Sequence, residues 1–402
     1  MATTSFLFHA FGLRNYRLVS TTYNQGKTFF HIALKDSKRR CAACHSRKIA
    51  KAGTFTRMLR EIPVGRRKTY LVLHGHRQQC HVCKKLCQEP IEMADPLKRY
   101  TRCFARYIVE LAQHMALLHI AVFVGISWDL VKQIFTRNLE KRLKRRKLSS
   151  VRYLAIDEFS VKKGHRYMTI VMDLETGAVL HACLGKDAKS LLPFLWKLKR
   201  AQAPLQAFAV DMARAYYKAI KTVFPQVDIV HDPYHVVCLL NRAIDQVRKQ
   251  LYKTLTQKGR AIVRGIRFLL LTGLEKLKPS QLDRLTLIME ANQPLYQAYL
   301  LKEDLRRFWD FSHAQQAASF LADWLEQAVN TGLKPLIRFA LTLIDHLDGL
   351  LCYFNHRIST GPLEGLNNKI KTLKRQAYGF RDMDFFILRL RFIHESTYAV
   401  TG

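Results

Sequence analysis

Acidic residues are scarce in this chain. Its 402 residues hold 31 Asp and Glu against 66 Lys and Arg, a formal net charge of +35. So large an excess excludes an ordinary soluble enzyme of small substrates and points to a polyanionic partner, most simply nucleic acid. Long apolar runs are also missing. No stretch approaches the ~18 uninterrupted apolar residues of a membrane span. The cations are spread over the whole chain, so a membrane surface is a poorer fit than nucleic acid, and no membrane partner is expected. No basic segment precedes the first apolar residues, so the N-terminus does not read as a signal peptide. There is no internal repeat and no low-complexity segment, so a repeat array is not expected.

What is present begins with 49% hydrophobic residues, enough for sizeable cores and roughly two to four domains. Of nine Cys, four form two pairs, Cys41-Ala-Ala-Cys44 and Cys80-His-Val-Cys83. In a basic chain without a signal sequence that pattern favours metal over disulfides, and a reducing cytoplasm. Between the pairs, Thr54–Ile62 and Lys68–His76 alternate and are broken at Pro63-Val-Gly65. A hairpin carrying Arg57, Arg60, Arg66, Arg67 and Lys68 is expected there. The four thiolates suit a tetrahedral structural zinc, with Cys87, His45 and His81 as substitutes or neighbours. Four Cys leave no open position for catalysis by zinc. Buried free thiols are the plain alternative.

Residues 101–139 read as helices. Ala121, Gly125, Ile126, Val131 and Ile134 have helix-turn-helix spacing: a small residue for close approach, Gly for the turn, apolar residues to fix the angle. Ser127 can cap a second helix, Trp128 to Leu139, on which Trp128, Lys132, Gln133 and Arg137 are candidate DNA contacts. An ordinary two-helix corner is the alternative. Lys141-Arg-Leu-Lys-Arg-Arg-Lys147 then reads as a basic linker that tracks phosphates through Lys144, Arg145 and Arg146, or else as a solvated helix end.

From residue 151 the pattern is α/β. Three strands (Val151–Phe159, Arg166–Asp173, Ala178–Leu184) precede a helix, a strand ending at Asp211, a helix, the strand Val227–His231, and Asp232-Pro-Tyr-His235 at a helix start. That is the order of a ribonuclease-H-like core. Residues 239–357 are helical throughout and read as an all-α insertion. Within it Trp309 and Trp324 are candidates for base stacking, although core packing is the commoner use of such Trp. The core closes with a helix begun by Ser359 or Thr360 and Pro362. It has an apolar stripe (Leu363, Leu366, Ile370, Leu373), Glu364 in its first turn, and Lys369, Lys371, Lys374 and Arg375 on the remainder. Tyr378–Arg391 reads as a last helix packed on the core. The expected divisions are 1–95 (zinc ribbon), 96–148 (helix-turn-helix and linker), 149–238 (core), 239–357 (insertion) and 358–402 (closing and last helices).

Asp157 interrupts an apolar strand, where a buried carboxylate needs a partner. Asp211 ends the neighbouring strand, and Glu364 lies on the closing helix. Three such oxygen donors suit two Mg²⁺ ions, with Mn²⁺ as a substitute, which activate the attacking oxygen and stabilise the leaving one in a phosphoryl displacement. Singly, each acid also has a structural reading: a satisfied buried acid, an N-cap, a helix-dipole partner.

The segments Ile156-Asp-Glu-Phe159, Asp173-Leu-Glu-Thr-Gly177, Val210-Asp-Met-Ala213, His231-Asp-Pro-Tyr-His-Val236, Gly361-Pro-Leu-Glu-Gly-Leu-Asn-Asn-Lys-Ile-Lys371 and Arg375-Gln-Ala-Tyr-Gly-Phe380 resemble the ISL-three family of bacterial insertion-sequence transposases. The resemblance covers almost the whole chain. Its second knuckle is tighter than the family's usual spacing. The resemblance implies a DDE transposase with zinc ribbon, helix-turn-helix and ribonuclease-H-like core, and Asp157, Asp211 and Glu364 as its triad. Hydrolysis at a transposon end would leave a 3′-hydroxyl, which the same site would join to target DNA. Asp232 and His235 are second-tier candidates near the metals. Partners would be duplex DNA (terminal inverted repeats and target) and further copies of the chain, as a homodimer or higher oligomer, in the bacterial cytoplasm at the nucleoid. The competing functions are a DNA-binding regulator with an inert core and a structure-selective nuclease.

Overall fold

The structure is a computed structural model and describes residues 6–162, 166–185, 187–257, 260, 265–290 and 292–395. The chain divides into two compact units. One comprises 1–145, 372–388 and 395–402, and the other 146–371 and 389–394.

The first unit begins with α1 (Phe6–Phe11) and a five-stranded sheet. Strands β1 (Tyr16–Asn24), β2 (Lys27–Leu34), β3 (Ile49–Val64) and β4 (Arg67–Cys80) lie in the order β1-β2-β4-β3, and β5 (Leu86–Gln88) also pairs with β4. The expected hairpin is there, longer than its alternation implied: β3 continues through Pro63 and turns at Gly65-Arg66. Strand β1 lacks a clean apolar alternation and was not foreseen; pairing with β2 holds it. Leu7, Phe11, Tyr16, Ile32, Leu59 and Leu71 form the core.

Three helices follow: α2 (Arg102–His114), α3 (Leu117–Val124) and α4 (Trp128–Arg145). The axes of α3 and α4 differ by 119°, within the range of a helix-turn-helix. Gly125 makes the turn at φ +70°, a conformation glycine adopts without steric cost, and its N–H donates to Ala121 O at 2.9 Å. Leu130 N donates to Ser127 Oγ at 3.3 Å, so Ser127 caps α4. Val131, Ile134 and Phe135 are buried beneath.

The basic run takes the form of its alternative, a helix end: α4 continues unbroken to Arg145, at the boundary between the two units, with Leu139 buried on its apolar stripe. The last helix, Met383–Leu390, sets Phe385 edge-on to Phe135 of α4, ring centroids 6.4 Å apart; its residues to Leu388 belong to the first unit, and Arg389 and Leu390 to the second. Asp382, just before it, pairs with Lys132 at 2.7 Å.

The second unit holds a mixed sheet in the order β10-β9-β6-β7-β8. Strands β6 (Tyr153–Lys162), β7 (Arg166–Asp173) and β8 (Val179–Leu184) form an antiparallel meander. Strands β9 (Ala207–Val210) and β10 (Asp228–His231) add parallel to β6 and to each other. Their crossovers are α5 (Ala188–Arg200) and α6 (Arg214–Val223). Leu191, Leu195 and Leu198 of α5 and Ile220 and Val223 of α6 pack with Leu154, Ile156, Phe208 and Val210. These are alternate strand positions, so both helices cover one face of the sheet.

Helix α7 (Pro233–Thr254) starts beside β10 and runs past residue 239 into the helical stretch, so the insertion does not begin at a break in the chain. Arg267–Leu271, Pro279–Glu290, Gln293–Arg306, Ala314–Asn330 and Lys334–Asp345 continue it around its own core. Residues 258–259, 261–264 and 291 of this stretch lie outside the described residues. Trp324 is fully buried, donates Nε1–H to Leu301 O at 2.8 Å and sits edge-on to Phe339. It is a core residue and cannot stack on a base. Trp309 is half-buried against Phe308. Among the described residues no single helix is long and apolar enough to cross a membrane.

Candidate nucleic-acid interface and acidic site

The register of β6 and β9 sets the acidic site. Tyr153 pairs with Ala207, Leu154 with Phe208 and Ala155 with Ala209. Continued by two residues, that register brings Asp157 abreast of Asp211, which follows the last residue of β9. Strands lie about 4.8 Å apart and side chains alternate. Both acids therefore stand side by side on the face opposite α5 and α6.

Asp157 is half-buried, and desolvation raises its carboxyl above the ordinary carboxylate range, with nearby Asp211 adding to the rise. Three groups oppose the shift: the Glu158 N–H at 2.7 Å from Oδ1, His235, and the Asn367 amide at 3.0 Å from Oδ2. Asp211 Oδ1 accepts from Ala213 N at 3.0 Å and does not cap α6, whose first residue is Arg214.

Glu364 and Asn367 lie one turn apart on the closing helix, Gly361–Gln376. Leu363, Leu366, Ile370 and Leu373 are buried, as their spacing predicts, and Ser359 Oγ accepts from Gly361 N at 3.2 Å. Glu364 is exposed, with the Tyr234 hydroxyl in its electrostatic neighbourhood. The three acids do not draw as close together as the cysteines described below. Among the described residues, the cysteines alone bring at least three metal-ligating atoms within 4.8 Å of one another. Beyond Glu364, Lys371 and Arg375 are exposed, and Lys369 and Lys374 are half-buried.

Asp232 occupies the N-cap position of α7, but its side chain makes no capping hydrogen bond there. It is buried, and its Oδ1 accepts from Thr360 N at 3.3 Å, at the start of the closing helix. His235 Nε2 lies 3.9 Å from Asp232 Oδ2. Sequence reasoning missed Asn367, Glu158 and Tyr216. The Tyr216 hydroxyl donates to Glu158 Oε1 at 2.6 Å and meets Thr169 Oγ1 at 3.0 Å, bracing the strand residue after Asp157. Asn367 had a readable signal, its place three residues after Glu364; Tyr216 had none.

In the first unit the sulfurs of Cys41, Cys44, Cys80 and Cys83 all lie within 4.8 Å. Cys41 and Cys83 are 3.6 Å apart, and Cys44 and Cys80 3.5 Å. A tetrahedron of Zn–S bonds of about 2.3 Å has edges of about 3.8 Å, so the donor set fits zinc. The residue after each pair, His45 and Lys84, is left-handed at φ 57° and 58°. The chain thereby curls twice in the same way, turning backbone N–H groups toward sulfur. The N–H groups of Cys44 and Ala43 hold the Cys41 thiol down to about 6, toward the thiolate a metal needs, whereas desolvation and the neighbouring sulfurs push the Cys44 thiol up to about 12. Cys87 lies 3.8 Å from Cys41, beside the four rather than among them.

Of the expected contacts on α4, Trp128, Gln133 and Arg137 are exposed. Lys132 lies over the Trp128 and Phe385 rings. Lys144 and Arg145 are exposed on its last turn, whereas Arg146 is committed to the carbonyls of Val179 (2.7 Å) and Arg391 (3.1 Å). Arg60, on the hairpin, is turned inward to Thr69 O and Val124 O.

A family model described as a transposase matches residues 154–390, and the helix-turn-helix domain of transposase family ISL3 matches 89–137. The chain belongs to transposase family ISL3. It is 33% identical over 355 residues to the transposase for insertion sequence element IS1001 of Bordetella parapertussis, covering 87% of each chain. It is 27% identical over 376 residues to the transposase for IS1557 of Mycobacterium tuberculosis, covering 85% of this chain and 83% of that one. A Drosophila P element transposase strand transfer complex aligns at 13% identity with a TM-score of 0.39, over 73% of this chain and 92% of the other. This ISL3 member thus carries a DNA-binding helix-turn-helix, a four-cysteine cluster suited to zinc, and a mixed α/β unit with the acidic residues described above.

Proposed function

We propose that this transposase cleaves DNA at the ends of its element and joins the resulting 3′-hydroxyl to target DNA, with Asp157, Asp211 and Glu364 as the acidic triad of a ribonuclease-H-like core. The observation that carries the reading is the register that brings Asp157 abreast of Asp211 on the sheet face away from α5 and α6. The strand order supports the core: a three-strand meander flanked by two parallel strands, with α5 and α6 on one face. The helical insertion falls between β10 and the closing helix that bears Glu364.

Hard divalent cations fit this oxygen-rich donor set, Mg²⁺ foremost and Mn²⁺ as a substitute. Two of them would supply activation of the attacking oxygen and stabilisation of the leaving one. Asp157 would be a rigid ligand, because Asn367 and the Glu158 N–H fix its orientation. Asp211 would be held by the Ala213 N–H. Glu364 would approach from the helix. Lys369, Lys371, Lys374 and Arg375 farther along that helix would hold the DNA backbone, with Asp232 and His235 supporting from the start of α7. No step needs a covalent protein intermediate. On α4, Trp128, Gln133 and Arg137 would face the major groove. The four thiolates would hold a structural zinc that locks the two knuckles. Two element ends must be held at once, so the active form is a dimer or higher oligomer on DNA, acting in the cytoplasm at the nucleoid.

The test is strand cleavage and joining on a labelled duplex carrying the element's own terminal repeat, with Mg²⁺. Wild type should give cleaved and joined products. Asp157→Asn, Asp211→Asn and Glu364→Gln should each lose at least about a hundredfold in rate while still binding the duplex. Binding without metal-dependent cleavage, alike in all four proteins, would leave a DNA-binding regulator with an inert core. Cleavage without joined product would leave a nuclease.

A further inference from the structure

We propose that the cleft between α2 and α4 is a phosphodiester-binding site, distinct from the groove-facing start of α4. The proposal rests on the DNA-binding reading above and gives the sugar–phosphate backbone a place on the first unit. The cleft encloses about 870 Å³. Arg102 and Arg106 line it from α2. Asn138, Lys141, Lys144 and Arg145 line it from α4, at the three- and four-residue steps that share one helix face.

Seven Lys and Arg side chains face this space against two carboxylates, Asp95 and Glu140. Asp95 is already engaged by Arg102 at 2.7 Å and Arg137 at 3.4 Å, and Arg142 pairs with Glu395 at 2.5 Å. Arg106, Lys141, Lys144 and Arg145 are exposed and have no ion-pair partner among the described residues. A concave surface of one sign focuses its field on an anion.

The stripe from Asn138 to Arg145 runs about 10 Å along the helix. That exceeds one phosphate and matches several steps of a strand that rises about 3.4 Å per nucleotide. The Asn138 amide adds a polar group to the wall: its Oδ1 is buried with no hydrogen-bond partner. Turned over, the amide presents N–H donors instead. Because the basic run is helical, its cations stand in register with those of α2, as a flexible linker would not allow. Contacts of this kind set position and affinity, whereas base contacts at Gln133 set sequence preference.

Fluorescence anisotropy of the full chain on two duplexes, its own terminal repeat and an unrelated sequence, over a range of salt concentrations tests the assignment. The double variants Arg106→Ala/Lys141→Ala and Lys144→Ala/Arg145→Ala should weaken both duplexes equally, by about tenfold at 0.1 M salt, and lower the salt slope by about 2. Gln133→Ala should instead shrink the difference between the duplexes and leave the slope unchanged. The charge-preserving Arg106→Lys/Lys141→Arg should bind like wild type, which separates loss of charge from loss of fold. Wild-type affinity and slope in both Ala doubles, with discrimination still lost in Gln133→Ala, would overturn the cleft and leave the DNA-binding reading intact. If wild type binds neither duplex, that reading itself fails.

Discussion

Asn367 donates its side-chain N–H to Oδ2 of Asp157 at 3.0 Å, across 210 residues of sequence. The bond ties the closing helix to the middle strand of the sheet and fixes the rotation of the carboxylate, whose other oxygen takes the Glu158 N–H. With Asp157 as the proposed Mg²⁺ ligand, removing such an orienting partner commonly weakens the metal about 10–100-fold. Asn367→Ala should therefore raise the Mg²⁺ concentration for half-maximal cleavage about tenfold, with the rate recovering at high Mg²⁺ and DNA binding unchanged. Asn367→Asp, which sets a second negative charge against Asp157, should be worse at every concentration below saturation. A Mg²⁺ titration of Asn367→Ala that superimposes on wild type would remove Asn367 from the site.

The cysteine cluster predicts one zinc per chain. Metal analysis of purified protein should find it retained in Cys87→Ser and lost in Cys41→Ser, with loss of the ribbon's cooperative unfolding in the latter. Retention in Cys83→Ser together with loss in Cys87→Ser would instead make Cys87 the fourth ligand.

Two ionisable groups, one in each unit, should respond to pH in opposite senses. Burial pushes Glu61, in the first unit, from its ordinary 4.5 up to about 7. The folded state then holds the proton more tightly than the unfolded chain. Its contribution is complete below pH 4.5 and is lost as pH rises through 7. His181, in the second unit, stacks on Phe194, and burial holds it down to about 4 from 6.5, with Arg391 adding to the effect. Its contribution is present above pH 6.5 and is lost as pH falls through 4. Each amounts to at most about 3 kcal/mol. Calorimetry between pH 5 and 8 should show Glu61→Gln flattening the first trend and His181→Phe the second; unchanged slopes in both variants would contradict the assignment.

Trp324→Ala should destabilise the insertion by about 3–5 kcal/mol, because the ring is enclosed and its N–H is satisfied. Trp324→Phe should cost less and leave DNA binding unaltered. A Trp324→Ala protein with normal stability but impaired cleavage would point back to base stacking.

Much of this was readable because local signals agree with the tertiary outcome. The strand bearing Asp157, the cap at Ser127, the turn at Gly125 and the closing helix's apolar stripe all announce themselves within a few residues. What was not readable depends on distant partners. Strand β1 looks like exposed chain until β2 pairs with it. The last helix is divided between the two units, and the ring that Phe385 meets, Phe135, lies 250 positions away. The left-handed residues after each cysteine pair are His45 and Lys84, so the glycine that usually marks such a bend is absent. The carboxylate of Asp232 sits where a helix cap belongs, yet its hydrogen bond goes to Thr360.

That last bond has a consequence for how the molecule tolerates change. It fastens the residue where α7 departs to the one where the chain returns, so the two ends of the helical insertion are pinned together, 128 positions apart. Closing a loop depends only weakly on its length. Helices could therefore be gained or lost between these two points with little disturbance to the placement of Glu364. The insertion is a detour whose doorway is built into the core, and its size is free to drift.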